Sequence, residues 1–307
     1  MPPGQNRVTR RNRTASVTSV IGEATSRGDA ASRVEEAMTT TIELDPGRFP
    51  NLTGVERPFY DFWSESVLSD ADPHRDRWID YEEGAVDRAQ ERNDLVRSVT
   101  DLVGRKVLDV GCQNGAWLVA LGQEGAIPTG IDVVASAVEA ARIRTAAYGI
   151  EADVRVGSAC EMPFGTGEFD VVASSDVLEH VPDKVAMLHE CVRVLRPGGL
   201  LFLRAPQRFS VKHLLHDPHY GRPGLSVLPG RLADWVATTV YDEPVYEVET
   251  LPTRSWTLRR LRAFGMEPLE VDPAFAGQPV PGPDALGVVV DELRQVFTIV
   301  ARKAHRR

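Results

Sequence analysis

Cysteine is almost missing from this chain: its 307 residues hold three, Cys112, Cys160 and Cys191, at no metal-ligand spacing. A disulfide framework and a cysteine-based metal centre are both excluded, and the three read as small buried residues of a reduced, cytoplasmic protein. Long apolar runs are missing too, so neither a membrane span nor a secretory leader is expected. Positive charge is in deficit. Lys and Arg total 35 against 44 Asp and Glu, a net −9, which argues against a general nucleic-acid binder needing a cationic face for phosphates. There are no internal repeats, and no G-x-G-x-x-G dinucleotide loop occurs where one would be sought.

What is present suits a globular protein: 42% hydrophobic and 26% charged residues, long enough for one large domain or one domain with additions. Residues 1–45 stand apart. Arg7, Arg10, Arg11 and Arg13 sit among Ser, Thr, Gly and Ala with no apolar period, so disorder is expected there, with Met38 as an alternative start. Residues 46–103, with Phe59-Tyr60-Asp61-Phe62-Trp63 and a charged stretch over 78–99, are expected to form an N-terminal helical cap whose aromatics pack more than they touch ligand.

From residue 104 to 307, strand and helix patterns alternate, which predicts an α/β doubly wound, mostly parallel sheet. The strands expected are 106–110, 128–131, 154–156, 171–174, 200–204, 268–271 and 296–301, with helices over 135–147, 184–195 and 255–264. Arg196-Pro197-Gly198-Gly199 should stop a helix and turn the chain into the fifth strand. A Pro/Gly-rich loop is expected at 277–283 and an insertion at 206–250.

The central feature is Lys106-Val107-Leu108-Asp109-Val110-Gly111-Cys112-Gln113-Asn114-Gly115, an apolar strand breaking into a glycine-bounded turn before a helix-compatible run. That arrangement presents bare backbone and a helix N-terminus to a ligand. Asp109 would repel a pyrophosphate and suits a ligand bearing an amine or cation. Asp132, about 20 residues beyond the loop, closes the second strand where an acid can accept both ribose hydroxyls.

These residues resemble the first motif, D-x-G-C-G-x-G, of class I S-adenosylmethionine (SAM)-dependent methyltransferases, with Gln113 in place of the middle glycine. Phe169-Asp170-Val171 through Ser174-Ser175-Asp176-Val177-Leu178-Glu179-His180-Val181 is similar to a later motif of that family. Val156-Gly157-Ser158-Ala159-Cys160-Glu161-Met162-Pro163-Phe164 resembles its adenine-binding stretch, with Ser158 where an acid usually stands.

The resemblance implies a Rossmann-like sheet of seven strands, the last antiparallel, and SAM as cofactor. Asp109, Gly111, Cys112, Gly115 and Ser175 would shape the methionine end and Asp132 would hold ribose. Ser158 and Ala159 would meet adenine, with Glu161 as an alternative contact. His180 is the candidate base for removing a proton from a hydroxyl acceptor. The insertion implies an acceptor lid in which His216, His219, Tyr220 and Arg222 are candidate substrate contacts. Its Leu225, Val227, Leu228, Leu232 and Trp235 are expected to pack on the body. His213, His216, Asp217 and His219 invite a metal reading, but Pro218 interrupts them and no matching carboxylate set appears, so no metal is expected.

The expected activity is methyl transfer to a small or medium acceptor, most simply a metabolite hydroxyl such as those of secondary metabolism. A non-catalytic interaction module and an RNA or protein methyltransferase are the alternatives, and the oligomeric state is left open.

Overall fold

Short runs of Val, Leu, Ile and Phe between glycine turns build seven strands, which form a single sheet in the order β3-β2-β1-β4-β5-β7-β6 in a computed structural model of the chain. The structure describes residues 54–67, 79, 81–82, 84–217, 219–243, 248–269 and 296–305. The expected disordered segment 1–45, the Pro218 turn and the loop at 277–283 lie outside the described residues. The strands are β1 (Lys106–Val110), β2 (Ile127–Asp132), β3 (Asp153–Val156), β4 (Phe169–Ser175), β5 (Leu195–Pro206), β6 (Met266–Leu269) and β7 (Val296–Lys303). Strands β1 to β5 pair in parallel, while β7 runs antiparallel to both β5 and β6. The strand order reverses between β1 and β4, and in such sheets ligands bind at the carboxyl ends beside that reversal.

Alternation along the strands decides which helices cover which face. Leu108, Val110, Val172 and Leu201 share one buried cluster with Leu188 of α5 (Lys184–Val194) and Leu258 of α8 (Arg254–Ala263). Val107, Val171 and Phe202 face the other way, against Trp117 and Leu121 of α3 (Ala116–Gln123). Each such buried side chain contributes roughly 1.5–3 kcal/mol relative to exposure. Helix α4 (Ala135–Ala147) joins β2 to β3.

Two helices precede the sheet among the described residues. Helix α1 (Arg57–Ser66) buries Phe59, Tyr60 and Trp63 against Ala140 and Ile143 of α4, so these aromatics pack rather than line a pocket. Helix α2 (Ala85–Arg97) lies along α3: Asn93 accepts a hydrogen bond from Trp117 Nε1 and donates one to the Ala120 carbonyl, both 2.9 Å. The pair therefore braces α3 and α4, the two helices that flank the glycine-bounded turn.

Two expectations are corrected. The Arg196–Gly199 stretch is not a free turn: β5 begins at Leu195, which pairs with Phe169, and the register slips between Phe169 and Val171. A Cβ on Gly199 would stand 2.9 Å from the Asp170 carbonyl, so close strand approach explains that glycine. In the 206–250 insertion, α7 (Gly230–Val240) packs on a small core of Leu225, Ala233, Ala237, Val248 and Leu251, while α6 (Val211–Leu215) buries His213 alone. Leu232 and Trp235 do not pack on the body; they are 45% and 56% exposed, on the outer face of α7. Among the described residues, no helix is long and apolar enough to cross a membrane.

Candidate functional site

A cleft opens where β1 and β4 diverge, lined on the sheet side by Asp109, Gly111, Asn114 and Ser175 and on the α2 side by Arg88 and Arg92. Its floor is shaped by backbone. Gly111 and Gly115 adopt φ +78° and +75°, a left-handed conformation that favours glycine. Added Cβ atoms would come within 2.2 Å of Val177 Cγ2 at Gly111, and 2.7 Å of Ala141 Cβ at Gly115. Gln113 takes φ +44° with its larger side chain, so the departure from glycine is met by adopting the strained angle. The Gln113 amide is held in that pose by a 3.0 Å hydrogen bond to Asp132 Oδ2, while Asp132 Oδ1 accepts from Val134 N at 2.9 Å. Cys112 is buried beside Gly130 and lines the cleft, and burial pushes its thiol pKa up.

Electrostatically the floor is poised for a cation. Asp109 is 3% exposed, and burial pushes its carboxyl up to about 7, opposed by the Arg92 guanidinium and reinforced by Asp132. Asn114 Oδ1 is buried with no hydrogen-bond partner. Asp109 and Asn114 thus present acceptor oxygens for an ammonium group on one side of the cleft, with the Arg88 and Arg92 guanidinium groups on the other. Arg92 escaped the sequence reading because nothing local to α2 marks it; only the fold brings it over Asp109.

Asp132, Ser158 and Ala159 do not line that cleft; they follow along the carboxyl ends of β2 and β3. Ser158 is exposed, and its hydroxyl accepts from the Cys160 amide at 3.1 Å, forming a small turn bridged to Glu161. The backbone of Ser158 and Ala159 is thus fixed, while the Ser158 hydroxyl is engaged within its own turn.

Beyond β4, Asp176 takes φ +58° and accepts a 2.7 Å bond from Arg204, which anchors the turn carrying Glu179 and His180. Glu179 is fully buried, neither carboxylate oxygen has a hydrogen-bond partner, and burial pushes its pKa to about 8. Its Oε1 lies 3.9 Å from His180 Nε2 and 3.8 Å from His219 Nε2. The two imidazoles meet edge to face, with centroids 4.9 Å apart. His219 is delivered by the insertion: Asp217 Oδ1 accepts the amides of His219 and Tyr220, each at 2.9 Å. The Glu249 amide donates to the Glu179 carbonyl at 3.1 Å, tying the far end of the insertion to the same turn.

Of the four candidate contacts in the insertion, His219 alone joins His180 in this group. His216 is exposed, Tyr220 packs in the insertion's own core, and Arg222 pairs with Glu243 at 2.8 Å. The His213–His216 pairing dissolves as well, since His213 is buried with Nδ1 3.0 Å from the Gln207 carbonyl. The sequence reading passed over Glu179, whose adjacency to His180 was the available signal. Glu179, His180 and His219 each offer one ligand atom within 4.8 Å of the others, a spacing that a divalent cation can bridge.

A family described as "Methyltransferase domain" matches residues 108–203. The chain is 39% identical over 125 residues to a ubiquinone biosynthesis O-methyltransferase of Xanthomonas oryzae pv. oryzae, covering 39% of this chain and 52% of that protein. It is 37% identical over 170 residues to the protein of the same name from Pseudomonas aeruginosa, covering 54% of this chain and 65% of that one. The chain thus spans about half the length of the first relative and under two thirds of the second. Among solved structures, a SAM-dependent methyltransferase from Mesorhizobium loti superposes with a TM-score of 0.51 at 19% identity, covering 71% of this chain and all of that one, which shows a shared fold.

Proposed function

We propose that this chain, whose residues 108–203 match a family described as "Methyltransferase domain", is a class I SAM-dependent methyltransferase that transfers the methyl group of SAM to a hydroxyl oxygen of a small-molecule acceptor. The observation that carries this is the buried Asp109 with the orphaned Asn114 Oδ1 facing two arginines across one cleft. An α-amino acid zwitterion fits that charge layout: ammonium on Asp109, Asn114 and Ser175, carboxylate on Arg92. Asp132 stands ready for ribose, because both its oxygens are already fixed by backbone amides. The Ser158–Ala159 backbone serves adenine without the charge that an acid would add, so the adenine contact is weaker here.

When bound, SAM supplies a methyl group on a sulfonium, an activated leaving group, so orientation of the acceptor provides much of the rate. Residues of the cap, Arg88 and Arg92 among them, wall the cleft, and the insertion that brings His219 to His180 acts as the acceptor lid. His180 takes the hydroxyl proton at Nε2, with His219 sharing the hydrogen bond to the acceptor oxygen.

A second reading adds Glu179 to the two histidines. With Glu179 ionised, Glu179, His180 and His219 hold a divalent cation that lowers the pKa of the acceptor hydroxyl directly. Chelator decides between them: undiminished turnover in EDTA supports the base, and loss restored by Mg2+, Mn2+ or Zn2+ supports the cation.

The reading as a whole is tested by calorimetric titration with SAM and with NAD, for wild type and Asp132→Ala. Micromolar SAM binding, no NAD response and a roughly tenfold or greater loss in Asp132→Ala are expected, since a charge-assisted hydrogen bond contributes about 1.5–3 kcal/mol. Absence of SAM binding by the wild type would overturn it in favour of an interaction module.

A further inference from the structure

One side chain joins the N-terminal segment, α4 and the cleft loop. Arg144, near the end of α4, is fully buried. Its Nη2 donates to Glu82 Oε2 at 2.8 Å, and its Nη1 donates to the Asn114 carbonyl at 3.1 Å. Its Nε lies 3.4 Å from Glu56 Oε1, and the guanidinium sits 3.4 Å above the Phe59 ring centroid. Glu82 is itself fastened: its other oxygen accepts from Asn114 Nδ2 at 2.9 Å, and its carbonyl accepts from the Tyr60 hydroxyl at 3.0 Å. Both countercharges of this buried cation, and the aromatic face beneath it, therefore come from residues ahead of the sheet, while its remaining bond goes to the cleft loop.

The loop at that point is under strain. Asn114 lies between Gln113 at φ +44° and Gly115 at φ +75°. Such a pose persists only where the surroundings over-determine it. Two holders do so: Asp132 grips the Gln113 amide from the β2 side, and Arg144 grips the Asn114 carbonyl from the α4 side. Undocking the N-terminal segment would strip Arg144 of both carboxylates. A guanidinium left buried without a countercharge is costly, so the side chain would turn to water and release the loop.

We propose that Arg144 is a positioning residue that makes docking of the N-terminal segment and the binding-competent shape of the cleft loop a single equilibrium. Cofactor affinity is thereby set partly by Glu56, Phe59 and Tyr60, which line no part of the cleft, and cofactor binding in turn tightens the docked segment, as linkage requires. The proposal rests on the SAM reading, and wild-type titration with SAM separates the two: if wild type does not bind, the fault lies with that reading.

The test combines titration with hydrogen exchange on the full chain, for wild type, Arg144→Lys and Glu82→Gln. In wild type, the SAM product S-adenosylhomocysteine should slow exchange across 54–67, a segment that lines no part of the cleft, as well as in the loop. Lysine cannot span both carboxylates and the carbonyl. In Glu82→Gln, the new side-chain amide would set a donor against either Arg144 or Asn114. Both variants should bind SAM roughly tenfold more weakly, within the range usual for coupled sites, and lose protection of 54–67 while keeping ligand protection of the loop. Should Arg144→Lys fail to fold, Glu82→Gln still decides. SAM affinity within twofold of wild type alongside a lowered melting temperature would make the network purely structural and overturn the proposal. So would unchanged protection of 54–67 on binding in wild type.

Discussion

The cleft and the histidine pair beyond β4 are made of different materials. The floor of the cleft is backbone: glycines at positive φ, an amide held by Asp132 and a carbonyl held by Arg144, all within a few residues of β1 or braced by α4. The histidine pair is side chains, with His180 carried on a turn after β4 and His219 brought from the 206–250 insertion, meeting over Glu179. Backbone sites have no tolerance for added atoms, whereas side-chain sites can be edited one group at a time. The first should therefore fail by collapse of binding and the second by loss of rate.

The largest effect is expected at Gly115→Ala. The new methyl meets Ala141 Cβ at 2.7 Å and its Cα at 2.9 Å, on a backbone already at φ +75°. Calorimetry should register SAM affinity falling by about two orders of magnitude, and urea unfolding a loss of about 1–3 kcal/mol; near-normal binding would mean the loop is far softer than its contacts imply. At the histidine pair, His180→Ala should leave the SAM dissociation constant within twofold of wild type while turnover drops about 100-fold. His219→Ala should show the same split with a smaller loss of turnover. If either change weakens SAM binding as much as it slows turnover, the separation of the two regions breaks down.

A smaller, pH-dependent effect sharpens the contrast. Burial raises the Glu179 carboxyl from its ordinary value of 4.5 to about 8. The folded protein thus keeps a proton that the unfolded chain has released, and the contribution of this group to stability is lost as pH climbs from about 4.5 through 8. Melting curves from pH 5 to 9 should show Glu179→Gln gaining on wild type as pH rises; parallel curves would remove Glu179 as a source of that slope. Last comes Arg222→Ala. Its partner is Glu243 and the arginine side chain is 46% exposed, so stability should move by no more than about 0.5 kcal/mol, with turnover within twofold.

The same contrast explains what the sequence disclosed. Strand β1, the turn and α3 were legible almost residue by residue, because local pattern alone sets them: an apolar run, glycines at fixed offsets, then helix formers. The Arg196–Gly199 stretch misled because its Pro and glycines spell a turn, while pairing of Leu195 with Phe169 draws it into β5 as an irregularity. Leu232 and Trp235 misled in another way. Apolar residues on a helix were read as core, but α7 turns its small residues Ala233 and Ala237 inward and leaves the large ones outside. Within the site, Asp109 and Asp132 were visible from position along the chain. Arg92, Arg144 and Glu82 were not, because their meaning comes wholly from which helix lies over which turn. His219 was picked out for the density of polar residues around it, whereas its place beside His180 is a product of the fold.

Strand β7 follows every other strand in the chain, yet it does not take an edge of the sheet; it slots between β5 and β6, antiparallel to both. Leu201, Phe202 and Leu203 of β5 find their partners Ala301, Val300 and Ile299 only roughly 100 residues later, and pairing over so long a separation is slow. Until β7 is in place, β5 has an open apolar edge and β6 lacks its neighbour, a template for pairing with other chains. Closing the sheet against aggregation therefore falls to the strand farthest in sequence from the glycine-bounded turn.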